Sequence, residues 1–259
     1  MKSVGNSGFR YDINGLRAWA VVAIILYHFE VSGFSGGFIG VDVFFVISGF
    51  LMAGILVRGA ERMDRGSRAP MQFLLEFWLA RARRIIPALA VVCAVVLVWG
   101  WYTLVPEEFV QQARQAYRAI QFRSNAGFAN EAGYFDDGAH QKFLLHTWSL
   151  AVECQFYLIF PLVVLGIGWL KAGRGFLFFL LGTLAAASFF YGVFQTHSEP
   201  SQAFFRLSSR AWELLAGALA YLAGDIGMRS ERRARLLELG GFVLIVAAIA
   251  FMDARTPWP

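Results

Sequence analysis

Apolar residues run in long blocks along this chain, and the polar residues gather between them. The blocks fall at Ala18 to Phe34, Phe38 to Val57, Ile86 to Leu104, Leu150 to Leu170, Phe176 to Phe194, Ala211 to Gly224 and Leu236 to Met252. Most are long enough to cross about 30 Å of hydrocarbon as helices. The pattern therefore predicts an all-α, polytopic transmembrane helix bundle of about seven spans, with residues 1–259 forming one transmembrane domain. The sixth block reaches spanning length only if its helix begins near Phe204. Composition agrees, at 58% hydrophobic and 16% charged residues and a mean hydropathy of +0.54, well outside the balance of a soluble domain. Leu16 to Phe34 lacks a small-residue cleavage site and runs straight into the next block, so the first span is expected to stay in the mature protein.

Charge gives the bundle a direction. With the amino terminus in the cytoplasm, 16 of the 23 Lys and Arg residues fall inside: Lys2, Arg10 and Arg17, then Arg58 to Arg84, Lys171 and Arg174, and Arg229 to Arg235. The reverse orientation leaves seven inside. Positive-inside bias thus predicts a cytoplasmic amino terminus and an external carboxyl end. The net charge of +5 then serves to anchor cytoplasmic loops on anionic lipid and calls for no nucleic-acid partner. Cys93 and Cys154 lie inside apolar blocks without metal-ligand spacing and read as buried small hydrophobes. No metal site is expected, because there is no HExxH, no Cys pair and no close cluster among His28, His140, His146 and His197. A GxSxG elbow, a Walker loop and a credible dinucleotide fingerprint are also lacking.

Within this frame a few polar residues sit at costly depths. Arg17 and His28 are eleven residues apart in the first span. On a helix they share one face, about 16 Å apart along the axis, as a cation near one surface and an imidazole deep in the bilayer. Ionisable groups in a span are functional hypotheses by default. The first two spans form a tight hairpin through Ser32 to Gly37, whose glycines allow positive φ. With its centre near Ser35, His28 and Asp42 are expected at comparable depth, where a carboxylate orients an imidazole and stabilises its protonated form. Phe73 to Pro87 mixes apolar residues with Arg81, Arg83 and Arg84 at helical spacing, as in an interfacial helix that enters the third span. Arg81 and Arg84 face the same way, and serve either as topology anchors or as a phosphate clamp.

The segment from Val105 to Thr147 is acidic, and its Tyr117, Phe122, Phe128, Tyr134 and Phe135 are expected to pack on the membrane face or over a site entrance. Thr147 or Ser149 is placed to cap the fourth span, with Glu153 one turn in. Arg210 and Glu213 are spaced to pair at i, i+3, although Arg206 and Arg210 can equally partner Glu153 or Asp42.

These motifs converge on one resemblance. Tyr11-Asp12-Ile13-Asn14-Gly15-Leu16-Arg17-Ala18, the Arg17-x10-His28 spacing, Gly36 to Phe50 around Gly40-Val41-Asp42-Val43-Phe44-Phe45, Arg81-x2-Arg84 before Ile85-Ile86-Pro87, His146-Thr147-Trp148-Ser149-Leu150, and Arg210-Ala211-Trp212-Glu213-Leu214-Leu215-Ala216-Gly217 together closely resemble the acyltransferase-3 family. The resemblance runs from Tyr11 to about Tyr221. Members are multi-pass enzymes of the bacterial inner membrane that O-acylate, usually O-acetylate, surface sugars such as lipopolysaccharide O-antigen or peptidoglycan.

The resemblance implies a role for each position. Arg17 and His28 match the family's Arg-x10-His signature, and Arg81 with Arg84 its Arg-x-x-Arg motif, associated with acyl-CoA on the cytoplasmic side. Asp42 matches the acid of the second span, and Glu153 the first acid of a Glu-Glu-Gln-Phe-Tyr pattern whose second Glu is here Cys154. The implied chemistry has His28 as general base or acyl relay, oriented by Asp42 or Glu153. Trp148, Arg210 and Glu213 are then substrate-binding or a structural ion pair. No permanently bound cofactor is implied; acetyl-CoA, or another acyl-CoA, is the co-substrate. The implied partners are a surface glycan or lipid-linked sugar acceptor and the lipid bilayer. Family domains carry further spans, and many continue into an extracellular SGNH-hydrolase-like domain, so this chain is expected to be an amino-terminal piece of its domain.

Two readings from other classes stay open on the residues alone. A transporter or flippase explains buried Arg17, His28 and Asp42 without chemistry, although the Gly36 to Phe50 hairpin has no counterpart later in the chain. A noncatalytic membrane interaction protein would tolerate loss of both Arg17 and His28. Consumption of an acyl thioester separates the enzyme from the other two.

Overall fold

The computed structural model describes residues 10–64, 69–131, 142–169, 173–224 and 231–253. Every regular element among them is helical. Ten α-helices follow in order: α1 (Tyr11–His28), α2 (Gly40–Asp64), α3 (Pro70–Thr103), α4 (Pro106–Ile120), α5 (Ser124–Ala129), α6 (Thr147–Trp169), α7 (Arg174–Ser198), α8 (Pro200–Phe205), α9 (Leu207–Gly224) and α10 (Glu231–Phe251). A 3-10 turn at Gly37–Ile39 precedes α2. Proline opens α3, α4 and α8, where its missing N–H has no intrahelical partner to lose.

Four helices among the described residues are long and apolar enough to cross a membrane: Gly37–Ala60, Pro70–Thr103, Thr147–Gly168 and Arg174–Ser198. The other three predicted spans are helical as α1, α9 and α10; charged residues, Asp12 with Arg17 in α1 and Arg210 with Glu213 in α9, lower the apolarity of the first two. The sixth block does draw on residues before Leu207, as α8, with a break at Arg206. The interfacial helix and the third span are one continuous 34-residue helix, α3, which passes through Pro87.

The chain divides into two compact units, 1–47 with 227–256 and 48–226 with 257–259. The first contains α1, the 3-10 turn, the start of α2, and α10. Here α1 ends in a Schellman motif, with Val31 N–H on the Leu26 carbonyl at 3.0 Å and Glu30 N–H on that of Tyr27 at 2.9 Å. Glu30 takes the left-handed residue of that motif, at φ 54°. Gly36 and Gly37 are not used for positive φ; among the hairpin's glycines only Gly33 is, at 86°. Their role is close approach. The Gly37 backbone presses on Ala23 and Tyr27 of α1, and that of Gly36 on Ala248 and Ile249 of α10, leaving no room for a β-carbon. Trp19 packs between Phe34 and Phe242, with ring centroids 6.3 and 6.5 Å away.

This register corrects the expected hairpin. Gly40 abuts Ala20 and Ile24, and the Arg17 guanidinium lies 5.8 Å over the Phe44 ring. Asp42, between them, runs alongside the middle of α1, whereas His28 is its last residue. The two are offset by about two helical turns, because the chain reverses at the Schellman cap near Val31 rather than at Ser35.

The second unit is built on the pairing of α7 with α9. Ser188 donates its hydroxyl to the Ser208 carbonyl at 2.7 Å and accepts the Trp212 N–H at 3.1 Å. On α2, Gly49 lies so close to the Leu214 backbone of α9 that a β-carbon has no space. Such small-residue contacts let helix backbones approach where lipid supplies no hydrophobic drive. Gln155 of α6 donates to Asn125 Oδ1 at 2.9 Å and to the Phe122 carbonyl at 3.0 Å, and Asn125 donates to the Phe205 carbonyl at 3.2 Å. These amides pin α5, α6 and α8 together. Phe128 is buried against Phe205, Phe122 packs against the cluster of Leu89, Cys93 and Leu144 and Tyr117 is exposed, while Tyr134, Phe135 and His140 lie outside the described residues. Cys93 and Cys154 are both buried and free.

Candidate active site

In the first unit, α1 is unbroken from Arg17 to His28, so both side chains lie on one face, about 16 Å apart along the axis. Both are half-buried. The His28 ring meets the Tyr27 ring edge-on, with centroids 5.2 Å apart. Asp42 is buried in the first turn of α2, where the helix amino terminus favours a negative charge.

In the second unit the structure assembles a carboxylate site around Glu153. The Ser48 hydroxyl of α2 donates to Oε1 at 2.6 Å, and the Tyr157 hydroxyl, one turn along α6, donates to Oε2 at 3.0 Å. Both carboxylate oxygens are thus engaged, which fixes the orientation of the group. Trp78 of α3 donates its indole N–H to the Tyr157 carbonyl at 3.0 Å and ties α3 to this turn. Arg81, one turn further along α3, lies within Coulombic reach of Glu153 and Tyr157. Its guanidinium sits 5.8 Å over the Phe77 ring, and its buried Nε makes no hydrogen bond among the described residues. Arg84 is exposed.

Trp148, Arg210 and Glu213 come together as a separate buried cluster. Arg210 and Glu213 pair at 2.9 Å, each 1% exposed. The guanidinium is 5.5 Å over Trp148 and 5.1 Å over Phe204, and Trp148 packs on Phe204 and Phe205. Thr147 and Ser149 do not cap α6 with their side chains. Their hydroxyls turn back onto the Leu144 and His146 carbonyls, at 2.7 and 3.2 Å.

Reading the sequence missed both residues that hold Glu153. Tyr157 stands at i+4 from Glu153, a spacing that could have found it, but Ser48 is 105 residues away, and only the fold connects them.

The family model described as "Acyltransferase domain" matches residues 10–256. The chain belongs to this family of acyltransferase domains. It is 33% identical over 258 residues to the O-acetyltransferase OatA of Staphylococcus aureus, covering 95% of this chain and 41% of that protein. It is 37% identical over 250 residues to the peptidoglycan O-acetyltransferase OatA of Listeria monocytogenes, covering 93% of this chain and 39% of that protein. The chain therefore spans about two fifths of the length of these relatives. No solved structure matches it. The family match takes in all the site residues, from Arg17 and His28 to Arg210 and Glu213.

Proposed function

We propose that this chain is the membrane portion of a glycan O-acetyltransferase, which takes an acetyl group from cytoplasmic acetyl-CoA and delivers it to a hydroxyl on an external glycan. The observation that carries the reading is the unbroken α1, with a guanidinium and an imidazole on one face about 16 Å apart. That separation suits a substrate whose charged and reactive ends lie at different depths. The S. aureus and L. monocytogenes relatives are named as O-acetyltransferases, and the second as acting on peptidoglycan. Peptidoglycan, or its lipid-linked precursor, is accordingly the acceptor favoured here over lipopolysaccharide.

Arg17 in the first unit, and Arg81 with Arg84 in the second, each carry planar donor forks well suited to the phosphates of CoA. His28 removes the proton of the acceptor hydroxyl as its oxygen attacks the thioester carbonyl. The new C–O ester bond forms, the C–S bond breaks, and CoA leaves as the thiol with the proton from the imidazolium. Asp42 supplies a carboxylate in the first unit, and Glu153, held rigid by Ser48 and Tyr157, one in the second. The amino terminus faces the cytoplasm, in the plasma membrane of a bacterium.

The test is acetyl transfer from labelled acetyl-CoA in proteoliposomes. His28→Ala is expected to abolish transfer while expression and membrane insertion persist. Normal transfer by that variant overturns the mechanism. A wild-type chain that moves substrate without consuming thioester overturns the enzyme reading in favour of transport.

A further inference from the structure

Pro161 lies inside α6. Having no N–H, it cannot give the Tyr157 carbonyl, four residues earlier, the hydrogen bond that a helix otherwise supplies. An unpaired carbonyl is costly in hydrocarbon, and a span carries an internal proline where a neighbour answers the freed group. Here the answer comes from α3. The Trp78 indole N–H donates to the Tyr157 carbonyl at 3.0 Å, an ordinary length for such a bond.

Both ends of that bond lead to the carboxylate site. On α6, Glu153, Tyr157 and Pro161 follow at four-residue intervals and share one face. Tyr157 is buried, and its hydroxyl is held on Glu153 Oε2 at 3.0 Å. On α3, Trp78 and Arg81 are three residues apart and face the same way, with the Arg81 guanidinium braced over the buried Phe77 ring. The indole bond therefore brings with it the arginine that lies within Coulombic reach of Glu153 and Tyr157. A slip of α3 by one residue would turn its side chains by about 100° and carry the guanidinium away from them. Register between the two helices decides where Arg81 stands.

We propose that Trp78 is a positioning residue for the donor: through its bond to the carbonyl freed by Pro161 it fixes α3 against α6 and holds Arg81 where the phosphates of CoA bind. The inference rests on the reading of Arg81 as a phosphate-binding group, and its test is a binding measurement that needs no turnover. The full chain is placed in nanodiscs and titrated calorimetrically with CoA, as wild type, Trp78→Phe, Arg81→Gln, Trp78→Phe/Arg81→Gln and Trp78→Phe/Pro161→Ala.

Trp78→Phe keeps an aromatic ring and loses the N–H. It is expected to weaken CoA binding by about tenfold, in line with the worth of hydrogen bonds to a charged group, and Arg81→Gln by at least as much. Because Trp78 acts through Arg81, the Trp78→Phe/Arg81→Gln variant should bind no more weakly than Arg81→Gln alone. Pro161→Ala returns an intrahelical N–H to the Tyr157 carbonyl. In Trp78→Phe/Pro161→Ala the melting temperature should therefore recover toward that of the wild type while CoA affinity stays low, and this variant also carries the comparison if Trp78→Phe alone does not fold. Wild-type affinity in Trp78→Phe beside a weakened Arg81→Gln overturns the role of Trp78 and leaves the reading of Arg81 standing. Additive losses in Trp78→Phe/Arg81→Gln, or recovery of affinity together with stability in Trp78→Phe/Pro161→Ala, likewise overturn it, since either shows Trp78 to be structural only. Unchanged affinity in Arg81→Gln overturns the phosphate-binding reading, and the positioning role falls with it.

Discussion

Arg210 and Glu213 lie where almost no water reaches them, each 1% exposed. Taking two charges out of water is expensive, and their attraction offsets that cost only with good geometry and close neighbours. Here the two groups approach to 2.9 Å and two aromatic faces lie over the guanidinium. Replacing either partner removes that contact from a buried ionisable group. Arg210→Met or Glu213→Leu alone is expected to destabilise the protein by about 3–5 kcal/mol. The double variant should cost less than the sum of the two, by at least about 1 kcal/mol of coupling. Thermal unfolding of the detergent-solubilised variants checks this, and strict additivity would show that the pair is not energetically coupled. The Glu153 site has a milder version of the same dependence. Hydrogen bonds within membranes are worth about 0.6 kcal/mol on average, so Ser48→Ala should lower stability only slightly while loosening the carboxylate.

Close approach between helices depends on what is missing from a side chain. Gly49 of α2 has the Leu214 backbone where its β-carbon would stand, whereas Gly166 of α6 has open space around it. Gly49→Val should therefore abolish correct folding, and Gly166→Val should be tolerated. Protease resistance of the two variants in membranes distinguishes them, and equal resistance contradicts the packing argument. At this scale the sequence was partly legible. Helical periodicity and the i, i+3 rule found α1, α3, α6 and the Arg210–Glu213 pair, because each depends on residues close along the chain. The Ser48–Glu153 bond and the Asn125–Gln155 amides were not legible, since their partners meet only through the tertiary fold. The His28–Asp42 register failed for a local reason. A non-glycine residue, Glu30, closes the Schellman cap, and nothing in its identity announces a left-handed conformation.

At the scale of the whole molecule, the longest helix ties the chemistry to the bilayer. The aromatic residues Trp99, Trp101 and Tyr102 near the end of α3 are exposed, as expected of interfacial anchors. From Arg84 to Trp101 is 17 residues, about 26 Å of helix rise, close to the roughly 30 Å thickness of a hydrocarbon core. The remaining amphipathic turns, from Pro70 to Arg84, extend beyond that core on the other side. With α3 anchored by its aromatic end, the depth of Arg81 and Arg84 is expected to follow the thickness of the lipid around it. On the proposed role of these two arginines, hydrophobic mismatch becomes an input to donor binding. In bilayers of phosphatidylcholines with increasing chain length, the KM for acetyl-CoA should pass through a minimum where the core matches this spacing, and rise in thinner and thicker membranes alike. A cell that alters the thickness of its membrane would in this way retune how readily the donor is held, with no change in the protein itself.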